Sequence, residues 1–276
     1  MKQMFILLIA SLLCVCSGLA EENIPATLTR MDGRAWRVFL HACDANQLTY
    51  QLEKSPVSKT MLVSDVKSLK IKLPKLNMDE LHAQLVATGY AEVIAVLEPA
   101  VLTTGSYMII PNNAEEAFAL LTKAYLRNGD VSKARATAGY LLAVQNPALK
   151  RIARAVAAQA ALEETDMNAV KQFLAQMEDP VAKLYLTALI ERSEHRSKEA
   201  MQTVVELIAS YPNNLEWMPQ TEYLCAELYL DLEMPESAAE VAHQVEVLYP
   251  GSEFRLEARA LSAKIKQLTE TSGEPE

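Results

Sequence analysis

Tyr125-Leu126-Arg127-Asn128-Gly129-Asp130-Val131-Ser132-Lys133-Ala134 decides how this chain of 276 residues is read. The stretch predicts one helix ending at an Asn-Gly turn and a second starting at once, with Ala134 small enough to let the two backbones approach. Prolines at Pro147, Pro180, Pro212 and Pro250 follow at spacings of 33, 32 and 38 residues, so the hairpin is one unit of a repeat. Each unit leaves an apolar face that only its neighbour can cover. Stacked units make an extended concave surface rather than an enclosed catalytic pocket.

The order of Tyr125, Gly129, Ala134 and Pro147 resembles the tetratricopeptide repeat (TPR), in which an aromatic, a turn glycine, a small residue and a closing proline recur. The last full unit is similar through Cys225, Ala226, Tyr229, Ala238 and Pro250, but Glu233 takes the glycine place and Met234-Pro235 breaks the helix. The unit before it keeps Ala188, Ala200 and Pro212, with Glu191 where the aromatic belongs. Pro147 to Asp179 keeps Ala160 and Ala169, with Asn168 near its turn. A degenerate first pair spans Met78 to Leu102, with Gly89-Tyr90 at its turn and Pro99 expected to cut its second helix short. Phe254 to Leu268 reads as a closing helix with Lys264, Lys266 and Gln267 outward. The resemblance implies a TPR-like α-solenoid of about five hairpins over residues 74–268, and the polar residues 269–276 are expected to be a disordered tail.

Residues 21–73 follow another period. Trp36, Val38, Leu40 and Ala42 alternate, as do Leu48, Tyr50 and Leu52, so each set is expected on one face of a strand. Asp32-Gly33 and Asp44-Ala45-Asn46 supply turns around the first of these strands, and Pro56 separates the second from further strands at Lys59–Val63 and Lys67–Ile71. Five short strands with a turn at Ser64-Asp65-Val66 resemble small SH3-like or Sm-like barrels. Pro74 marks the joint and Asn77 can cap the next helix. The fold class expected is therefore α+β multidomain, a small β-barrel followed by an all-α helical-hairpin solenoid.

Lys2, the apolar run from Met4 to Val15, and Ser17-Gly18-Leu19-Ala20 predict a signal peptide over residues 1–20, cleaved after Ala20. The product would be exported, periplasmic or associated with the cell envelope, with no transmembrane span in the mature chain. Leu13 and Val15 precede Cys14 and Cys16, where lipidation needs a small residue. The formal charge of −9 argues against general nucleic-acid binding and against electrostatic attachment to anionic lipid. Cys43 and Cys225 are expected to be unpaired thiols, Cys225 packed inside a helix pair.

His41, His82, His195 and His243 lack metal-ligand spacing, and no phosphate loop, nucleophile elbow or His-Glu-x-x-His occurs. No catalytic residue, metal or cofactor is expected. In the resembled family the first helices of the hairpins line the concave face. In that register Lys123, Arg127, Arg151 and Arg154 would face one groove, followed by Tyr185, Arg192, Tyr223 and Glu227. Arg forks suit carboxylates, so the expected partner is a protein or peptide, an acidic segment or a C-terminal carboxylate, with Tyr185 and Tyr223 as apolar shelves. The reading is an interaction scaffold or adaptor. Two alternatives stand beside it: an accessory or enzyme subunit whose β module binds a polymer or small substrate, and a homo-oligomer joined through Trp217, Met218, Tyr223 and Tyr229.

Overall fold

The computed structural model describes residues 23–271, so the expected leader and residues 272–276 lie outside the described residues. Five strands, β1 (Ile24–Arg30), β2 (Ala35–Cys43), β3 (Gln47–Leu52), β4 (Ser58–Leu62) and β5 (Val66–Ile71), form one antiparallel sheet in the order β4-β3-β2-β1-β5. A 3-10 turn at Val63–Asp65 precedes β5. Leu28 lies opposite Trp36 on one side and Leu69 on the other, and Leu40 lies opposite Tyr50, so alternation sends these side chains to one face. That face is buried at Leu28, Val38, Leu40, Tyr50 and Leu69, while Trp36 is half-buried under the Arg30 guanidinium. Ala42 departs from the expected phase. The β2–β3 register shifts between Leu40 and Ala42, which leaves Ala42 exposed and Cys43 half-buried.

Among the described residues no ladder joins β4 to β5, so the sheet is open where closure into a barrel was expected. The edge of β5 is covered by the chain that follows the first helix pair. Leu69 N–H donates to the Pro111 carbonyl at 2.9 Å, while the Asn113 side chain accepts from Ile71 N–H at 2.7 Å and donates to the Ile71 carbonyl at 3.0 Å. These bonds satisfy an edge that would otherwise be open to other strands, and they fasten the sheet to the helices.

The helical region contains five hairpins and a closing helix: α1 (Met78–Val86) with α2 (Tyr90–Val101), α3 (Glu115–Arg127) with α4 (Val131–Leu141), α5 (Pro147–Glu163) with α6 (Met167–Gln176), α7 (Pro180–Ser193) with α8 (Ser197–Ser210), α9 (Met218–Asp231) with α10 (Pro235–Leu248), then α11 (Phe254–Thr271). One turn geometry closes every hairpin. Thr88, Gly129, Thr165, His195 and Glu233 all have positive φ, between 58° and 81°. In the α3–α4 turn Gly129 N–H donates to the Leu126 carbonyl and Asp130 N–H to the Tyr125 carbonyl. Glu233 and Met234 repeat the pattern onto Leu230 and Tyr229, and His195 and Arg196 onto Arg192 and Glu191. This double bond satisfies carbonyls that a helix end leaves open.

The turn of the third hairpin is at Thr165, not Asn168, and Asp166 caps α6 by accepting from Ala169 N–H. Pro99 lies inside α2, in its last turn, and the helix ends at Val101. Pro147 and Pro180 take the first positions of α5 and α7, where the missing N–H costs nothing, behind Asn146 and Asp179 caps. The closing helix runs to Thr271, beyond the expected end at residue 268. One continuous core joins the inner sheet face to α1–α5, a second runs through α5, α7, α8 and α9, and a third lies under α11. The helix α6 buries only Val170, so α5 carries packing from the first core to the second.

Candidate docking cleft

The array curls until its end touches its beginning. Tyr90, at the start of α2, donates its hydroxyl to Glu257 Oε1 on α11 at 3.0 Å. Arg127, at the end of α3, pairs with Glu253 at 3.8 Å and with the Glu257 carboxylate, and its guanidinium lies 4.2 Å from the Phe254 ring centroid. Burial works against the Arg127 charge, but Glu253 and Glu257 outweigh it and hold the guanidinium charged. Burial also pushes the Tyr90 hydroxyl up to about 12, keeping it a donor at neutral pH.

Next to this clasp lies a cleft of about 510 Å³. One wall comes from the first three hairpins, with Leu85 and Val86 of α1, Lys123 and Leu126 of α3, and Ile152 and Arg151 of α5. The other comes from the end of the chain, with Leu215 and Trp217 before α9, Leu248 ending α10, and Phe254 starting α11. Glu216 and Glu253 supply the charge on this second wall. Leu215 and Leu248 are 76 % and 61 % exposed, so apolar surface continues to the rim. Among the described residues Lys123 and Arg151 have no carboxylate within 4.0 Å. Trp217 is 6 % exposed, and its Nε1 has no hydrogen-bond partner.

Of the residues placed in one groove by the sequence, Lys123, Arg127 and Arg151 line this cleft, while Arg154 is half-buried on α5 outside it. The expected anion for Arg127 is supplied by the chain itself. Arg192 is likewise engaged, with Glu227 at 2.7 Å and Asp231 at 2.7 Å. Burial raises the Glu227 carboxyl despite Arg192, whereas Arg192, itself desolvated, is held charged by Asp231 and then Glu227. Tyr185 is buried against Trp217 at 5.4 Å, an interior wedge and not an open shelf, while Tyr223 is half-buried and packs on Phe254 at 5.7 Å. Trp217 and Met218 are buried, which removes them from the surface expected to drive self-association.

The second wall escaped the sequence reading because Leu215, Trp217 and Leu248 lie outside the first-helix register used to find the groove. The irregular stretch Asn213-Asn214-Leu215-Glu216-Trp217, with a large exposed Leu beside Trp, was the available signal. Burial raises the Cys43 and Cys225 thiols to about 11, which favours the protonated thiol at neutral pH, and neither is bridged. Among the described residues no three His, Cys, Asp or Glu side chains could hold a metal ion, and no helix is long and apolar enough to cross a membrane.

No family model matches the chain, and no curated protein matches it. Among solved structures it is similar to the nearly identical TPR-like repeats of a chain described as a kinesin light chain from Podosopora anserina, at 19 % identity and a TM-score of 0.39, covering 68 % of this chain and 94 % of that one. That likeness is too slight to carry argument. The class is defined by the chain's own geometry: a TPR-like solenoid of helical hairpins fastened to an N-terminal antiparallel sheet, a fold suited to holding other proteins.

Proposed function

We propose that the protein is an exported scaffold of the cell envelope that holds a protein partner in the cleft between its first and last hairpins. The observation that carries this reading is the pair Lys123 and Arg151, cations without an intramolecular carboxylate, standing over an apolar floor closed by Trp217 and Phe254. Such a surface fits a peptide segment with apolar anchors and an acidic side chain or C-terminal carboxylate turned to the α3–α5 wall. Glu216 and Glu253 on the far wall would repel the same segment laid the other way round, which fixes its direction. The strand order and the 3-10 turn before β5 further support an SH3-like identity for the sheet module.

Selection from a random peptide library, once with free and once with amidated C-termini, tests the reading. The native protein is expected to enrich acidic segments with apolar anchors, and Lys123→Glu with Arg151→Glu to weaken each by at least about tenfold at unchanged thermal stability. Enrichment of the same peptides at the same affinity by the folded double variant would sink it.

A further inference from the structure

The overall charge of −9 conceals a division along the chain. Residues 23–77 carry nine Lys and Arg against four Asp and Glu, a formal +5, whereas residues 78–276 carry sixteen against twenty-nine, a formal −13. Within the sheet module two of the four acids lie beside the arginines, Asp32 at 3.3 Å from Arg30 and 3.8 Å from Arg34 and Glu53 at 3.9 Å from Arg37, and Asp44 accepts from the Asn46 and Gln47 N–H groups. The excess therefore resides in Lys54, Lys59, Lys67, Lys70, Lys72 and Lys75. All six are exposed, and among the described residues none has a carboxylate within 4.0 Å.

Lysines on a sheet edge often serve to block pairing with another chain. That does not account for Lys67, Lys70 and Lys72, because the β5 edge is already covered by Pro111–Asn113. Met31, Val57 and Leu62, in turns and at the outer end of β4, are 65 %, 59 % and 52 % exposed. Met31, Leu62 and Lys67 line one shallow recess, and a lysine charge beside exposed apolar tips fits a broad anionic surface that those tips can enter. We propose that the sheet module docks this protein on an anionic lipid bilayer, its lysines on the headgroups and Met31, Val57 and Leu62 in the interfacial layer. A nucleic acid fits less well. Trp36, Phe39 and Tyr50 are buried or half-buried, leaving no exposed ring among them to stack on bases, and Arg30, Arg34 and Arg37 each have a carboxylate of the module within 4.0 Å. The acidic helices would repel a long polyanion wrapping the molecule, whereas a flat leaflet need meet only the lysine-bearing surface, where Glu116 of α3 is the array acid that lines the same recess as Lys70 and Lys72.

Vesicle co-sedimentation separates these cases. Residues 4–15 form an apolar run that would itself enter lipid, so the protein used is 21–276, which keeps every described element. Vesicles of phosphatidylcholine alone are compared with a phosphatidylcholine and phosphatidylglycerol mixture, at low and high salt. Binding is expected only to the anionic vesicles, lost at high salt, and weakened on the order of a hundredfold or more by K67Q/K70Q/K72Q/K75Q. The control K171Q/K183Q/K198Q removes array lysines and is expected to bind as the native chain does, with thermal unfolding confirming that both variants fold. Equal binding to neutral vesicles, or undiminished binding by the module variant, overturns the proposal. So does tighter, lysine-dependent binding to duplex DNA than to anionic vesicles.

Discussion

Glu233 sits at a φ of 59° in a turn where the repeat pattern asks for glycine, and Thr88, Thr165 and His195 sit between 58° and 60° in the corresponding turns. A side chain there is strained by crowding between Cβ and the backbone, a cost of roughly 1–2 kcal/mol that glycine avoids. Glycine also frees the unfolded chain, so Thr165→Gly, His195→Gly and Glu233→Gly are each expected to raise stability by about 0.5–1 kcal/mol, read by denaturant unfolding. Gly129→Ala, at a φ of 81°, should lower it by a similar amount. Destabilisation by all three glycine variants would refute this account of the turns. The same geometry explains what the sequence concealed. Gly129 announced its turn, whereas Thr165 gave no signal, because helix-end bonds and the packing of α5 on α6 impose a conformation that a threonine would not choose. Glu227 adds a pH dependence. Burial raises its folded-state carboxyl above the unfolded value, so the folded form binds its proton first and stability attributable to this group falls as pH rises through that window. As pH falls towards the ordinary carboxylate range the native protein should therefore gain stability relative to Glu227→Gln, and a constant difference would contradict the assignment.

The strands and helices were legible wherever one face repeats, as in Val38 with Leu40 or in the Tyr125 to Ala134 hairpin. What alternation could not reveal was the fate of the edges. An open sheet and a closed barrel present the same inward residues, and the difference lies in a contact between β5 and the chain some forty residues later. Asn113 bonds both backbone groups of Ile71, and removing its amide strands the Ile71 N–H, while the Ile71 carbonyl keeps the bond it accepts from Leu73 N–H. Asn113→Ala is expected to cost roughly 1–2 kcal/mol and to accelerate amide exchange at Ile71 while leaving Val38 and Leu40 protected. Exchange spreading evenly through β1 and β2 would show that the sheet depends on the array as a whole. The candidate groove was half legible for a related reason. Register along the first helices places Lys123, Arg127 and Arg151 together, but it cannot say that the far end of the chain returns to face them.

That return makes the molecule two lobes around one cleft. The sheet with α1–α5 forms one core, and α7–α11 pack as the other lobe. They meet through α5 beside the thinly buried α6, and again at the clasp of Arg127 and Tyr90 with Glu253, Phe254 and Glu257. A ring held at two places opens at the one with less buried apolar surface, which here is the clasp. Arg127 is 21 % exposed, and deleting one partner of a largely buried ion pair costs about 3 kcal/mol, mostly because the remaining carboxylates lose their compensation. Arg127→Ala is thus expected to destabilise by about that amount, to raise amide exchange in α11, and to enlarge the radius of gyration in small-angle scattering. Adding Glu253→Gln and Glu257→Gln removes the stranded charges, so the triple variant should recover most of the stability yet remain as open as Arg127→Ala. Stability and closure would then respond separately, as a clasp requires. If instead the scattering profile of Arg127→Ala matches that of the native chain and α11 stays protected, closure belongs to the apolar packing of α5 on α7 and α9. The cleft would in that case be a fixed cavity, and a partner segment would have to thread it from the rim at Leu215 and Leu248.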